Sequence, residues 1–220
     1  CVILPAATGK TTYFPLQLQQ TYFWLLCSAS ILIAGAGYII NDYFDINIDQ
    51  VNKPDKMIVD KIITRRVAMF WHWVLSAIGL FLSGYISYKL RNPLLMVGNT
   101  LCVILLWVYS TTYKRRLLIG NVLISLLTAW VILVMLVAEL PGWLTGQINE
   151  AIEKASAARL SRIGVLYAAF AFVLSLVREV IKDMEDMEGD RKENCRTMPI
   201  VYGINAAKVF AGTWLFVLIT

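Results

Sequence analysis

The sequence predicts an all-α, polytopic transmembrane helical bundle, and three observations lead there. Hydrophobic residues make up 58% of the chain and charged ones 16%, where a soluble domain carries roughly 45–50% and about 25%. Several apolar runs reach the roughly 18–20 residues needed to cross the hydrocarbon core of a bilayer. Polar stretches separate these runs, and seven tryptophans add to the apolar bias.

Taken in order, residues 1–7 (CVILPAA) read as the tail of an earlier helix. Gly9-Lys10-Thr11 is not a phosphate-binding loop, because the glycine that GxxxxGK[ST] needs at position 4 is Leu4. A loop between helices is expected there. Six spans follow, at 22–40, 67–88, 94–113, 119–138, 164–181 and from 204 onward. Residues 147–162 alternate charge and alanine at helical spacing and predict a short helix lying in the membrane interface. A chain that opens at Cys1 and stops inside the apolar run 210–220 is expected to lack a helix end at each terminus. The 220 residues are thus expected to form a single transmembrane domain, truncated at both ends.

Smaller features have structural readings. Cys1, Cys27, Cys102 and Cys195 form no CxxC pair, so neither a zinc site nor a disulfide framework is indicated. His72 lies between Trp71 and Trp73 at an expected membrane edge and reads as part of an aromatic belt. Ser28, Gly35 and Gly37 are expected where helices pack closely.

Alternating crossings place 41–66, 114–118 and 182–203 on one side of the membrane. The other side receives 89–93 and 139–163. Twelve lysines and arginines fall on the first side and five on the second, so the positive-inside rule makes the first side cytoplasmic. The formal charge of +5 therefore describes membrane orientation, and no nucleic-acid partner is expected.

Acidic residues point to the chemistry. Of fifteen, five lie in 42–60 and seven in 179–193, both on the cytoplasmic side. Asp42, Asp45 and Asp49 sit at i, i+3 and i+7, so a continuing helix would stack them on one face. Asp183, Asp186 and Asp190 repeat that spacing after another span. Like charges so arranged repel unless cations bind them. Hard oxygen ligands of this kind suit Mg²⁺, which keeps several waters and completes its shell from a substrate phosphate. Nearby cations, among them Lys53, Lys114, Arg178, Lys182 and Arg191, are candidates for the phosphate oxygens. Paired acidic triads would also serve a divalent-cation transporter. Such a protein should hold its carboxylates near the bilayer midplane rather than at span ends on one side.

The two stretches, NDxxDxxxD at 41–49 and KDxxDxxGD at 182–190, resemble the aspartate-rich motifs of the UbiA superfamily of intramembrane prenyltransferases. The likeness continues through Tyr109-Ser-Thr-Thr-Tyr113-Lys114-Arg-Arg, Gly120-Asn121 and Arg196-Thr197-Met198-Pro199. Many members carry YxxxK in the middle motif, whereas four residues separate Tyr109 from Lys114 here. The resemblance implies about nine helices around a central cavity open to lipid. It also implies Mg²⁺-dependent transfer of a polyprenyl group from its diphosphate to a lipophilic acceptor. Asp42, Asp45, Asp49, Asp183, Asp186 and Asp190 would bind the Mg²⁺-diphosphate with help from Asn41, and Tyr109 and Tyr113 would stabilise the allylic cation. The second motif resembles the branch of digeranylgeranylglyceryl phosphate synthases and homogentisate prenyltransferases. It leans towards geranylgeranylglyceryl phosphate as acceptor; an aromatic acceptor of quinone biosynthesis (menaquinone, ubiquinone or homogentisate type) is the alternative. The resemblance leaves oligomeric state open.

Overall fold

The structure, a computed structural model, describes residues 2–5, 11–14, 18–144 and 151–219, with side chains described at 18–139 and 158–219. Its elements are β1 (Val2–Pro5), β2 (Thr11–Phe14), α1 (Gln20–Phe44), α2 (Ile46–Asn52), α3 (Arg65–Lys89), α4 (Pro93–Thr111), α5 (Ile119–Leu144), α6 (Ala151–Glu185), α7 (Met187–Lys192), α8 (Met198–Tyr202) and α9 (Ile204–Ile219). Helices α1, α3, α4, α5 and α6 are long and apolar enough to cross a membrane, and α9 is a shorter apolar helix.

Two of the expected segments form other elements. Val2–Pro5 is not the tail of a helix but a strand paired antiparallel with Thr11–Phe14, from Val2 opposite Phe14 to Pro5 opposite Thr11. The sequence suits a strand pair better than a helix, with β-branched Val2, Ile3, Thr11 and Thr12 and aromatic Tyr13 and Phe14. Of the expected loop, Gly9 and Lys10 lie outside the described residues, and Thr11 opens β2. Residues 151–162 are not a separate interfacial helix either; they form the first turns of the 35-residue α6. Alanine, glutamate, lysine and arginine favour helix there, and no proline or glycine interrupts before Gly164. Residues 147–150 lie outside the described residues.

Between helices in lipid, apolar burial drives little association, so close packing and interhelical hydrogen bonds carry more of it. Helices α1 and α3 approach so closely at Gly79 that a Cβ there would sit 2.8 Å from Ile33 Cγ1. Gly37 packs on Leu106 of α4, as expected, but Ser28 is exposed and bonds its own helix at Trp24 O. His72 is not a belt residue: it is buried, shares a 2.9 Å hydrogen bond between Nδ1 and Ala36 O, and packs beside Trp107. Farther along, Asn99 donates to Ser83 Oγ at 2.8 Å and accepts from Trp130 Nε1 at 2.9 Å. One polar chain thus ties α3, α4 and α5 together, each bond contributing about 0.6–2 kcal/mol.

The turns gather at two ends. At one end, Asn92 donates to Val137 O, joining the α3–α4 turn to α5. At the other, Arg196 N–H donates to Arg115 O at 2.9 Å, joining the segment after α7 to the α4–α5 turn. That second end carries both aspartate motifs, which is the grouping that alternating crossings predict.

Candidate active site

Both motifs break their helix at the middle aspartate. Asp45 separates α1 from α2 at φ −89°, ψ 0°, and Asp186 separates α6 from α7 at φ −92°, ψ 6°. The i to i−4 hydrogen bonds nevertheless run through each break, with Asp45 N to Asn41 O at 3.0 Å and Asp186 N to Lys182 O at 2.9 Å. Each motif is therefore a helix with a bend, not a helix followed by a free loop. Neither middle aspartate uses its carboxylate to cap the short helix that follows.

Those two carboxylates are instead met by lysines from elsewhere in the chain. Lys114, from the turn after α4, pairs with Asp45 Oδ2, which also accepts from Asn41 Nδ2 at 2.6 Å. Lys53, just past α2, pairs with Asp186 Oδ1 at 2.7 Å. Burial works against charge on Lys114, but Asp45, then Asp190 and Asp49, outweighs it and holds the ammonium above the usual lysine range. Burial, and next the charge on Asp45, raises the Asp49 carboxyl. Burial also pushes Asp190 up to about 6; Lys114 opposes that shift, while Asp186 and Asp45 add to it. Lys114 thus pairs with the first triad and feels the charge of both.

The site has two compartments. An acidic basin of about 190 Å³ is lined by Asp42, Asp45, Asp49, Asp186, Lys53 and Lys182. The loop after Lys53 covers it, because Met57 and Val59 are buried against Ile46 and Ala68. A larger cavity of about 510 Å³ extends along α1, α4, α5 and α6 beside Ile33, Leu106, Tyr109, Leu127 and Trp130. Asn41, Asp42 and Lys182 line both compartments. At that junction Asn41 Oδ1 is buried without a hydrogen-bond partner.

A sequence profile of the UbiA prenyltransferase family matches residues 2–220. The chain belongs to this family.

The chain is 33% identical over 211 residues to the digeranylgeranylglyceryl phosphate synthase of Methanosphaera stadtmanae, covering 96% of this chain and 66% of that protein. It is 33% identical over 194 residues to the synthase of the same name from Methanothermobacter thermautotrophicus, covering 88% and 60%. A solved structure concerned with digeranylgeranylglyceryl phosphate synthase in membranes superposes with a TM-score of 0.54 at 27% identity, over 90% of this chain and 62% of that one. The chain therefore spans 60–66% of the length of these two curated relatives.

Within this UbiA fold, the expected site residues divide. Asn41, Asp42, Asp45, Asp49, Lys53, Lys182 and Asp186 line the basin. Tyr109 is buried on the apolar cavity, and Arg178 lines that cavity with its side chain largely exposed. Asp183 and Asp190 are not among the residues that line the basin: Asp183 accepts from Asn121 Nδ2 at 2.8 Å, and Asp190 is buried. Lys114 reaches the site through Asp45. Two residues do not join it. Tyr113 turns to an apolar groove with Leu117 and Leu118, its ring beside Arg116, because the 3₁₀ turn at 113–115 rotates it away from Tyr109. Arg191 is exposed on the short α7, whose inward positions are taken by Gly189 and Asp190.

Asn52, Asn121 and Glu179 were not among the expected site residues. Glu179 is buried on the apolar cavity and accepts from Arg178 Nη1 at 2.7 Å. A polar side chain inside an apolar run is itself a signal of function, and that signal would have found Asn121 and Glu179. Among the described residues no three His, Cys, Asp or Glu side chains converge as a ready-made metal cage.

Proposed function

We propose that this chain carries the Mg²⁺-diphosphate site and prenyl cavity of an enzyme that transfers a polyprenyl group to a lipophilic acceptor. The observation that carries the reading is the junction at Asn41, Asp42 and Lys182, where an acidic basin opens into an apolar cavity. An isoprenoid diphosphate has that division of chemistry: a polyanionic head on a long hydrocarbon tail.

The residues suit Mg²⁺. The donors are hard oxygens, and the buried, unpartnered Asn41 Oδ1 needs a ligand. Asp42, Asp45, Asp49 and Asp186, which line the basin, would hold the ions, with Asp183 and Asp190 completing the second triad next to them. A divalent cation held by these carboxylates would supply charge neutralisation for a diphosphate leaving group.

The chain's own groups do the rest. Lys53 and Lys182 line the basin and Lys114 reaches it through Asp45; phosphate oxygens would replace Asp186 and Asp45 as the partners of Lys53 and Lys114. Tyr109, buried beside the junction, presents a ring to the allylic cation. The apolar walls exclude water that would otherwise capture that cation. The diphosphate leaves with the bonding electrons, the acceptor hydroxyl oxygen forms the new bond to C1, and its proton passes to the Glu179 carboxylate. The basin end is assigned to the cytoplasm from the excess of lysine and arginine there.

Geranylgeranylglyceryl phosphate is the favoured acceptor, on the form of the second motif and the names of the similar proteins. The test supplies the full-length protein in lipid nanodiscs with geranylgeranyl diphosphate, Mg²⁺ and a panel of acceptors, and identifies products by mass spectrometry. An ether product from geranylgeranylglyceryl phosphate is expected. Transfer to an aromatic acceptor alone would replace the acceptor assignment, and no transfer to any acceptor would overturn the reading.

A further inference from the structure

Asn52 closes α2 three residues beyond Asp49, and it touches the opposite motif twice. Its Nδ2 donates to the carbonyl of Asp186 at 2.9 Å, and its Oδ1 accepts from the backbone N–H of Gly189 at 2.8 Å. The adjacent Lys53 meets the carboxylate of the same Asp186. Helix α7 can come this near only without a side chain at position 189. A Cβ there would lie 2.6 Å from Asn52 Nδ2 and 2.8 Å from Ile48 O.

The second of those hydrogen bonds is informative. The first N–H groups of a helix have no partner within it, and an aspartate before the helix usually accepts from one of them. Asp186 stands in that place before α7 and makes no such bond. Asn52 supplies the missing acceptor from another helix. An amide can accept from Gly189 and donate to Asp186 O at once; a carboxylate there lacks the donor, and an alanine lacks both.

We propose that Asn52 is a positioning residue for the divalent-cation site, capping α7 in trans so that the Asp186 carboxylate is released to the basin, and fixing the distance between the two aspartate triads. The inference rests on the reading of the basin as a Mg²⁺-diphosphate site. Its contribution is to ion affinity rather than to the chemical step, since Asn52 touches neither compartment.

Calorimetry of the purified full-length protein with Mg²⁺ and inorganic pyrophosphate tests it without turnover. Wild-type protein binds the pair. Asn52→Ala and Gly189→Ala each weaken binding by about tenfold or more, the usual effect of losing a group that orients a metal ligand. The double variant loses less than the sum, because both changes open one contact. Asn92→Ala, at the far end of the bundle, lowers the melting temperature without altering the binding. If Asn52→Ala does not purify, Gly189→Ala gives the same comparison. Wild-type binding retained in Asn52→Ala or in Gly189→Ala overturns the positioning role alone. No binding by wild-type protein overturns the basin reading and this inference with it.

Discussion

Lys114 pairs with Asp45, sixty-nine positions earlier in the chain, and so fastens the turn between α4 and α5 to the bend of the first aspartate motif. Its ammonium also answers to Asp190 of the second motif. One side chain therefore senses the charge of both triads. Replacing it should disturb catalysis more than folding.

Lys114→Ala is expected to reduce diphosphate release by about 10²–10³-fold, the effect of removing one group that stabilises developing negative charge. Steady-state release of diphosphate at saturating Mg²⁺ measures this. A loss under threefold would mean that Lys114 only neutralises Asp45.

Asp45→Ala and Asp186→Ala should each abolish Mg²⁺-dependent turnover while the protein still inserts and purifies from membranes. EDTA should have the same effect on the unaltered protein. Full activity in either variant, or turnover that ignores EDTA, contradicts the assignment.

Glu179→Gln should lower transfer to a hydroxyl acceptor by about 10²–10⁴-fold, the contribution of a general base. Binding of Mg²⁺ and pyrophosphate should be unchanged, because Glu179 lies on the apolar cavity and not in the basin. Equal losses in binding and transfer would make its role structural.

Gly98→Ala places a Cβ 2.1 Å from Trp130 Cζ2, so the indole that lines the apolar cavity must move. Overpacking of this kind costs about 1–3 kcal/mol of stability. Competition between prenyl diphosphates of different length should also change its preferred donor, read as the ratio of the two products. An unchanged ratio would separate Trp130 from tail recognition.

Burial pushes the Cys195 thiol up to about 11, the charge on Asp190 adding to the shift. A raised thiol value keeps the reactive thiolate scarce until the pH approaches 11. Maleimide at pH 7.5 should therefore leave Cys195 unlabelled in the folded protein and modify it after denaturation, as peptide mass mapping would show.

The bundle was legible because a membrane span announces itself by length and composition, and because two triads at one spacing, each after a span, predict a shared end. Tyr113 was misplaced because periodicity cannot reveal a 3₁₀ turn that rotates a side chain away from its neighbour. The interfacial helix expected before α6 failed because a polar helical stretch can equally extend the next span. Asn52 carried no signal of its own. Its meaning depends on Gly189, 137 residues away, and on an approach that only the packed structure defines.

As proposed, two triads and one apolar cavity form a single Mg²⁺-dependent site for a prenyl diphosphate. The most direct measurement is equilibrium binding of a non-ionising geranylgeranyl thiodiphosphate, with and without Mg²⁺, to wild-type protein and to Asp49→Asn and Asp190→Asn separately. Binding should require Mg²⁺ and weaken strongly when either triad loses its last aspartate. Binding that persists in EDTA, or that one of the two substitutions leaves untouched, would contradict the account.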